Sequence, residues 1–289
     1  MTVAEAFEKF RSALEITESE QDAASTRQGE IREFLDRRFE LEEDFLTGSY
    51  RRNTKMKPLK DVDIFCVLKR TQTNVDRYRR QAPAVVLGAF RDALRKEYGD
   101  KVADPGRRSV SVDFGPNERI MSFDVVPAFA ESGHYVIPDT TTGGWIATDP
   151  TVHEEKATAK NKACGDRWKP LVKMVKGWNR HRDKIIRPSF LIEVMALELV
   201  EPPLENYPYE IQMFFANASE QVTAEWPDPA GLGPNVNDAM SDAEKAQTAT
   251  VLQGAQSAAA RARRLAERGN EIDAVRVWQE LLGPLFPTR

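Results

Sequence analysis

A chain of 289 residues, 41% hydrophobic and 30% charged, can bury a substantial core and is not dominated by disorder. Its net charge of −4 and pI near 5.7 exclude a general nucleic-acid-coating surface, so any polynucleotide contact is confined to a local patch. No apolar run reaches the roughly 18 residues of a membrane span, the N-terminus lacks a signal-peptide core, and the two cysteines, Cys66 and Cys164, read as reduced cytosolic thiols. In chain order, Phe7, Phe10 and Leu14 recur at helical spacing, and residues 24–45 carry Ile31, Phe34, Leu35 and Phe39 on a second helical stripe. A strand is predicted over 61–68, then a helix over 73–99 with Gly99 as its C-cap. Residues 107–114 and 119–129 alternate as two strands of a hairpin around the turn sequence 115–118. From about residue 150 the pattern is helical: 154–182, 187–200, 209–222, 240–269 and 271–283, with a Pro- and Gly-rich loop at 225–238. This order predicts an α+β fold in which N-terminal helices and a mixed-sheet palm (1–145) precede a helical lobe (146–289) that closes an active-site cleft.

The predicted strand at 61–68 contains an anomaly, because Asp61 and Asp63 interrupt a run that is otherwise apolar. Side chains two apart on a strand share a face, so the two carboxylates project together, and an unpaired buried charge costs several kcal/mol. Asp124 repeats the pattern in the second hairpin strand. Three carboxylates on neighbouring strands suit two divalent cations, Mg²⁺ or Mn²⁺, which stabilise both oxygens of an in-line phosphoryl displacement. The bland alternative for any one of them is a strand-end cap or an arginine partner. Gly48 and Ser49, thirteen residues before Asp61, shift the balance, since glycine lets backbone approach a phosphate and the serine hydroxyl can cradle it.

With "GSYRRNT", "KDVDIFCVL", "SFDVVPAF", "RWKPLVKMVKGWN" and "RPSFLIEVMAL" in hand, the chain resembles the DNA polymerase β-like nucleotidyltransferases. More narrowly, "DPAGLGPNVND" and "AVRVWQELLGPLFP" are similar to the tail of the bacterial CD-NTases of anti-phage CBASS systems, although "LLG" stands where "LFG" is common. The resemblance implies a polymerase β-like palm and condensation of nucleoside triphosphates into a cyclic di- or trinucleotide second messenger. It implies Asp61, Asp63 and Asp124 as catalytic metal ligands, with Asp124 as proton acceptor or metal organiser. It also implies accessory or activating CBASS proteins and a downstream effector reached through the product, while the charge and the lack of a long apolar run argue against a general nucleic-acid partner or a membrane.

By the same resemblance Lys173 or Lys176 reaches a triphosphate, against the competing reading of a solvated basic helix face. Ser189 and Phe190 resemble the family's pair in which the hydroxyl touches phosphate and the ring stacks on a base, while core packing is the alternative for Phe190. Arg51 and Arg52 either neutralise phosphate or pair with Glu42, Glu43 and Asp44. Trp168, Trp178 and Trp278 read as core, and His134, His153 and His181 have no metal or triad spacing. Rival functions are a linear nucleotidyltransferase acting on a small molecule, protein or RNA end, and a catalytically silent nucleotide sensor.

Overall fold

Reciprocal capping opens the first two helices. Thr2 and Glu5 exchange side-chain and backbone hydrogen bonds at the start of α1 (Val3–Leu14), and Thr17 and Glu20 do the same for α2 (Glu18–Phe39). The computed structural model describes residues 1–57, 59, 62–115 and 122–288, so Asp61 and positions 116–118 of the predicted hairpin turn lie outside the described residues. Two compact units are present: Ile16–His153, and Met1–Glu15 together with Glu154–Arg289.

In the first of these, α2 ends where Glu40 takes a left-handed conformation (φ 51°), and the chain turns into β1 (Leu41–Leu46). The helix expected over 24–45 therefore stops at Phe39 and does not reach residue 45. Glu42, Glu43 and Asp44 are poor strand formers that conceal β1, whose place is set by pairing with β2 (Val62–Leu68) rather than by propensity. A four-residue helix, α3 (Gly48–Arg51), lies between them in sequence. The predicted helix over 73–99 is also broken: α4 (Gln72–Asn74) runs into a π-turn at Val75–Arg79, and α5 (Pro83–Tyr98) starts afresh. Pro83 forces the break, because Ala82 before it is extended (ψ 144°) and proline has no N–H to continue a helix. Gly99 caps α5 at φ 57°, as expected.

β3 (Val110–Asp113) and β4 (Ser122–Glu131) form the expected antiparallel pair. β5 (His134–Asp139) and β6 (Gly144–Thr148), which the sequence reading leaves unassigned, extend the mixed sheet to the order β1-β2-β4-β5-β6. β2 and β4 are parallel, and β3 and β5 share the other edge of β4. Alternation sends Ile64, Cys66, Leu68, Phe123, Val125, Val110 and Val112 to the face covered by α2 and α5, where Phe34, Leu35, Phe39, Val86, Phe90 and Leu94 complete the core.

α6 (Pro150–Ala163), most of which belongs to the other unit, and α7 (Trp168–His181) replace the single helix predicted over 154–182. Gly165 and Asp166 take left-handed φ values of 59° and 61° and end α6. α8 (Phe190–Leu199), α9 (Tyr207–Gln221), α10 (Asp242–Glu267) and α11 (Glu271–Leu282) match the predicted segments. α1 packs here: the Phe7 ring meets Trp278 at 4.9 Å and Phe286 at 5.0 Å. Trp168, Trp178 and Trp278 are fully buried. Among the described residues no helix is long and apolar enough to cross a membrane.

Candidate active site

The same alternation that fills the core places the remaining residues of β2 and β4 on the opposite face. There Phe65, Val67, Val126, Ala128 and Ile137 form a second, smaller apolar cluster. Asp63 and Asp124 stand at the beginning of that face, and they are paired directly in the parallel register. Side chains at paired positions of neighbouring strands lie a few ångströms apart and on one side, so the sheet brings these two carboxylates together. Ser111 is in register with Asp124 from the antiparallel side, and its hydroxyl donates a hydrogen bond to Asp124 Oδ1. Asp63, Asp124 and Ser111 thus form one row across β2, β4 and β3.

The backbone around Gly48 is fitted to this row. Thr47 N–H donates to the carbonyl of Asp63 at 2.9 Å, which ties the start of α3 to β2. Gly48 sits at φ +61°, and a Cβ built on it would lie 1.8 Å from Asp63 Oδ2. No residue with a side chain fits there without displacing that carboxylate. Ser49 is half-buried, and its carbonyl accepts from Thr54 N–H at 2.9 Å. Arg51 lies over the Phe45 ring at 5.5 Å and Arg52 is buried, while Asp44 accepts from Gln28 at 2.9 Å and Glu43 from the Tyr135 hydroxyl at 2.7 Å.

On α7, Lys173 and Lys176 are buried, which removes the solvated-face reading of both. Lys173 Nζ meets Glu15 at 2.6 Å, and Lys176 Nζ meets Glu193 of α8 at 2.6 Å. Neither partner was visible as local spacing in the sequence. Ser189 is the exposed residue before α8, and Phe190 is half-buried rather than part of the closed core. Burial raises the Cys66 thiol's pKa, with Asp44 adding to it, so this cysteine stays protonated and unreactive.

Among the described residues no three His, Cys, Asp or Glu side chains form a metal-binding group; Asp61 is not among them. The two facing carboxylates supply hard oxygen donors, and the space that a Gly48 Cβ would fill adjoins Asp63 Oδ2. That donor set suits a hard divalent cation rather than a soft one.

Residues 1–161 match the Second Messenger Oligonucleotide or Dinucleotide Synthetase (SMODS) domain family. A protein of Acinetobacter sp. (strain ATCC 27244 / 9458) named cyclic AMP-AMP-AMP synthase is 32% identical over 263 residues, covering 84% of this chain and 72% of the relative. The structure of E. coli MS115-1 CdnC with ATP superposes with a TM-score of 0.75 at 19% identity, over 98% of each chain. CdnC in complex with HORMA-deltaN gives 0.74 at 18% identity, again over 98% of each chain. The chain therefore belongs to the SMODS family and is a CD-NTase, a nucleotidyltransferase with the polymerase β-like fold that makes cyclic oligonucleotides from nucleoside triphosphates.

Proposed function

We propose that Asp61, Asp63 and Asp124 hold two Mg²⁺ or Mn²⁺ ions, that Gly48 and Ser49 receive nucleotide phosphates, and that Lys173, Lys176, Ser189 and Phe190 contribute to nucleotide binding. The observation that carries this reading is the in-register pair of Asp63 and Asp124 with the Gly48 backbone set against the Asp63 carboxylate. Bound divalent cations would supply charge neutralisation at the phosphates and a more acidic 3′-hydroxyl. Asp63 and Asp124 fix where those charges sit, and Asp124 accepts the hydroxyl proton or orients the group that does. The 3′-oxygen then bonds to the α-phosphorus while the bond to the β-phosphate oxygen breaks and pyrophosphate leaves. Ring closure repeats the step with the linear intermediate's own 3′-hydroxyl and 5′-triphosphate, one pyrophosphate per bond.

The relative named cyclic AMP-AMP-AMP synthase favours ATP as substrate and a ring of three nucleotides. The CdnC complex favours an accessory protein of the HORMA type. On this reading the enzyme works in the cytoplasm, within CBASS defence, and acts on an effector through its product. Incubation of the purified chain with each NTP and Mg²⁺ or Mn²⁺, followed by phosphatase and mass spectrometry, tests it. The expected product resists phosphatase and is one water lighter than the matching linear monophosphate oligomer. Phosphatase-sensitive ladders, or nucleotide attached to an added acceptor, would move the assignment to the linear transferases. Absence of turnover with equal thermal stabilisation by NTP with and without divalent cation would make it a silent sensor.

A further inference from the structure

We infer that Ser111 is a positioning residue of the active site, acting through Asp124. The inference rests on the reading of Asp124 as a metal-organising carboxylate. Asp63 and Asp124 stand opposite one another in register, so the orientation of each carboxylate plane decides where its oxygens point. A hydroxyl that donates to one carboxylate oxygen restricts rotation of the carboxylate plane. Ser111 supplies that bond from the far side of the row, to Asp124 Oδ1.

The serine is itself held in place. β3 aligns Ser111 with Asp124, its carbonyl accepts from Ala103 N–H at 3.0 Å, and its neighbours Val110 and Val112 are buried in the core on the opposite face. The hydroxyl is therefore on the carboxylate face by strand alternation, with both flanking side chains anchored below it. Partners of this kind, one step removed from a metal, typically contribute about ten- to a hundredfold in metal affinity or activity.

The test uses the full chain with Ser111→Ala, Ser111→Thr and Ser111→Val, alongside Asp124→Asn. Thr and Val are β-branched isosteres that both suit a strand, and only Thr keeps the hydroxyl. Two readouts are taken: kcat and KM for ATP, and Mn²⁺ affinity from the electron paramagnetic resonance signal of free Mn²⁺ in the presence of a non-hydrolysable ATP analogue. Ala and Val are expected to weaken Mn²⁺ binding and lower kcat by roughly tenfold each, with KM nearly unchanged, while Thr stays close to wild type. If Asp124→Asn is inactive but Ala and Val match wild type in both readouts, or change only the melting temperature, Ser111 is merely a strand residue and the inference fails. If Asp124→Asn turns over normally, the reading of Asp124 fails and takes the role of Ser111 with it.

Discussion

Asp139 and Asp124 belong to one sheet, yet their surroundings differ in kind. Asp139, at the end of β5, is fully buried and receives Arg107 at 2.9 Å, Arg108 at 2.8 Å, and the backbone N–H groups of Thr141 and Thr142 at 2.9 and 3.1 Å. Burial works to raise its pKa, but the hydrogen bonds from Arg107, Thr142 and Arg108 prevail and hold it at about 2. Asp124 faces another carboxylate across the register and a hydroxyl on its other side. The first arrangement balances a charge with groups that the chain itself carries, and so fastens a turn. The second sets two carboxylates side by side at the start of a largely apolar face, with a serine hydroxyl on one of them, which suits the divalent cations of the proposed mechanism.

Removing charge at each place should separate the two roles. Asp63→Asn or Asp124→Asn is expected to lower turnover by about a thousandfold while the melting temperature holds or rises, because electrostatic support of the reaction is lost together with the repulsion. Retained turnover in either variant would erase the distinction. Asp139→Asn should do the reverse, with about 3 kcal/mol lost in urea denaturation at neutral pH and turnover per folded molecule unchanged. Its folded-state pKa lies below the ordinary 3.8, so the wild-type advantage is fully present above about pH 4 and fades as pH falls through about 2. A stability difference independent of pH in this range would assign the effect to packing.

Gly48→Ala comes next. The added Cβ and the Asp63 carboxylate cannot both keep their places, and a displacement of this size is expected to reduce kcat roughly a hundredfold. Crystallographic or kinetic evidence that Asp63 is undisturbed in the variant would separate the glycine requirement from the carboxylate row. The smallest effect serves as a baseline: Arg276→Ala breaks an ion pair with Asp273 whose side chains are 64% and 47% exposed, and should change stability by less than about 0.5 kcal/mol.

The carboxylate row was partly legible in the amino-acid order. Asp63 and Asp124 stand out because each interrupts an apolar strand pattern, and the antiparallel pairing of β3 with β4 follows from two alternating runs. Ser111 is not legible in the sequence, because a serine between two valines is ordinary until the register sets it opposite Asp124. The acidic centre of β1 conceals it, and Pro138 within β5 conceals that strand. Most helices of the C-terminal half declared themselves through periodicity, since each has one apolar stripe long enough to count. The ion pairs of Lys173 and Lys176 could not be read, because Glu15 lies 158 positions from Lys173 and Glu193 lies 17 from Lys176. No periodic rule reaches such partners.

The seating of α1 bears on how the chain is made. Phe7 and Phe10 are synthesised roughly 280 residues before Phe286, the ring that both of them contact, at centroid distances of 5.0 and 5.3 Å. At synthesis rates of about 5–20 residues per second, the interval between them is on the order of 15 to 60 seconds. During that interval α1 has its apolar stripe and its capping box but neither Trp278 nor Phe286 to cover it, so the nascent chain carries an adhesive helix until its last hundredth is made.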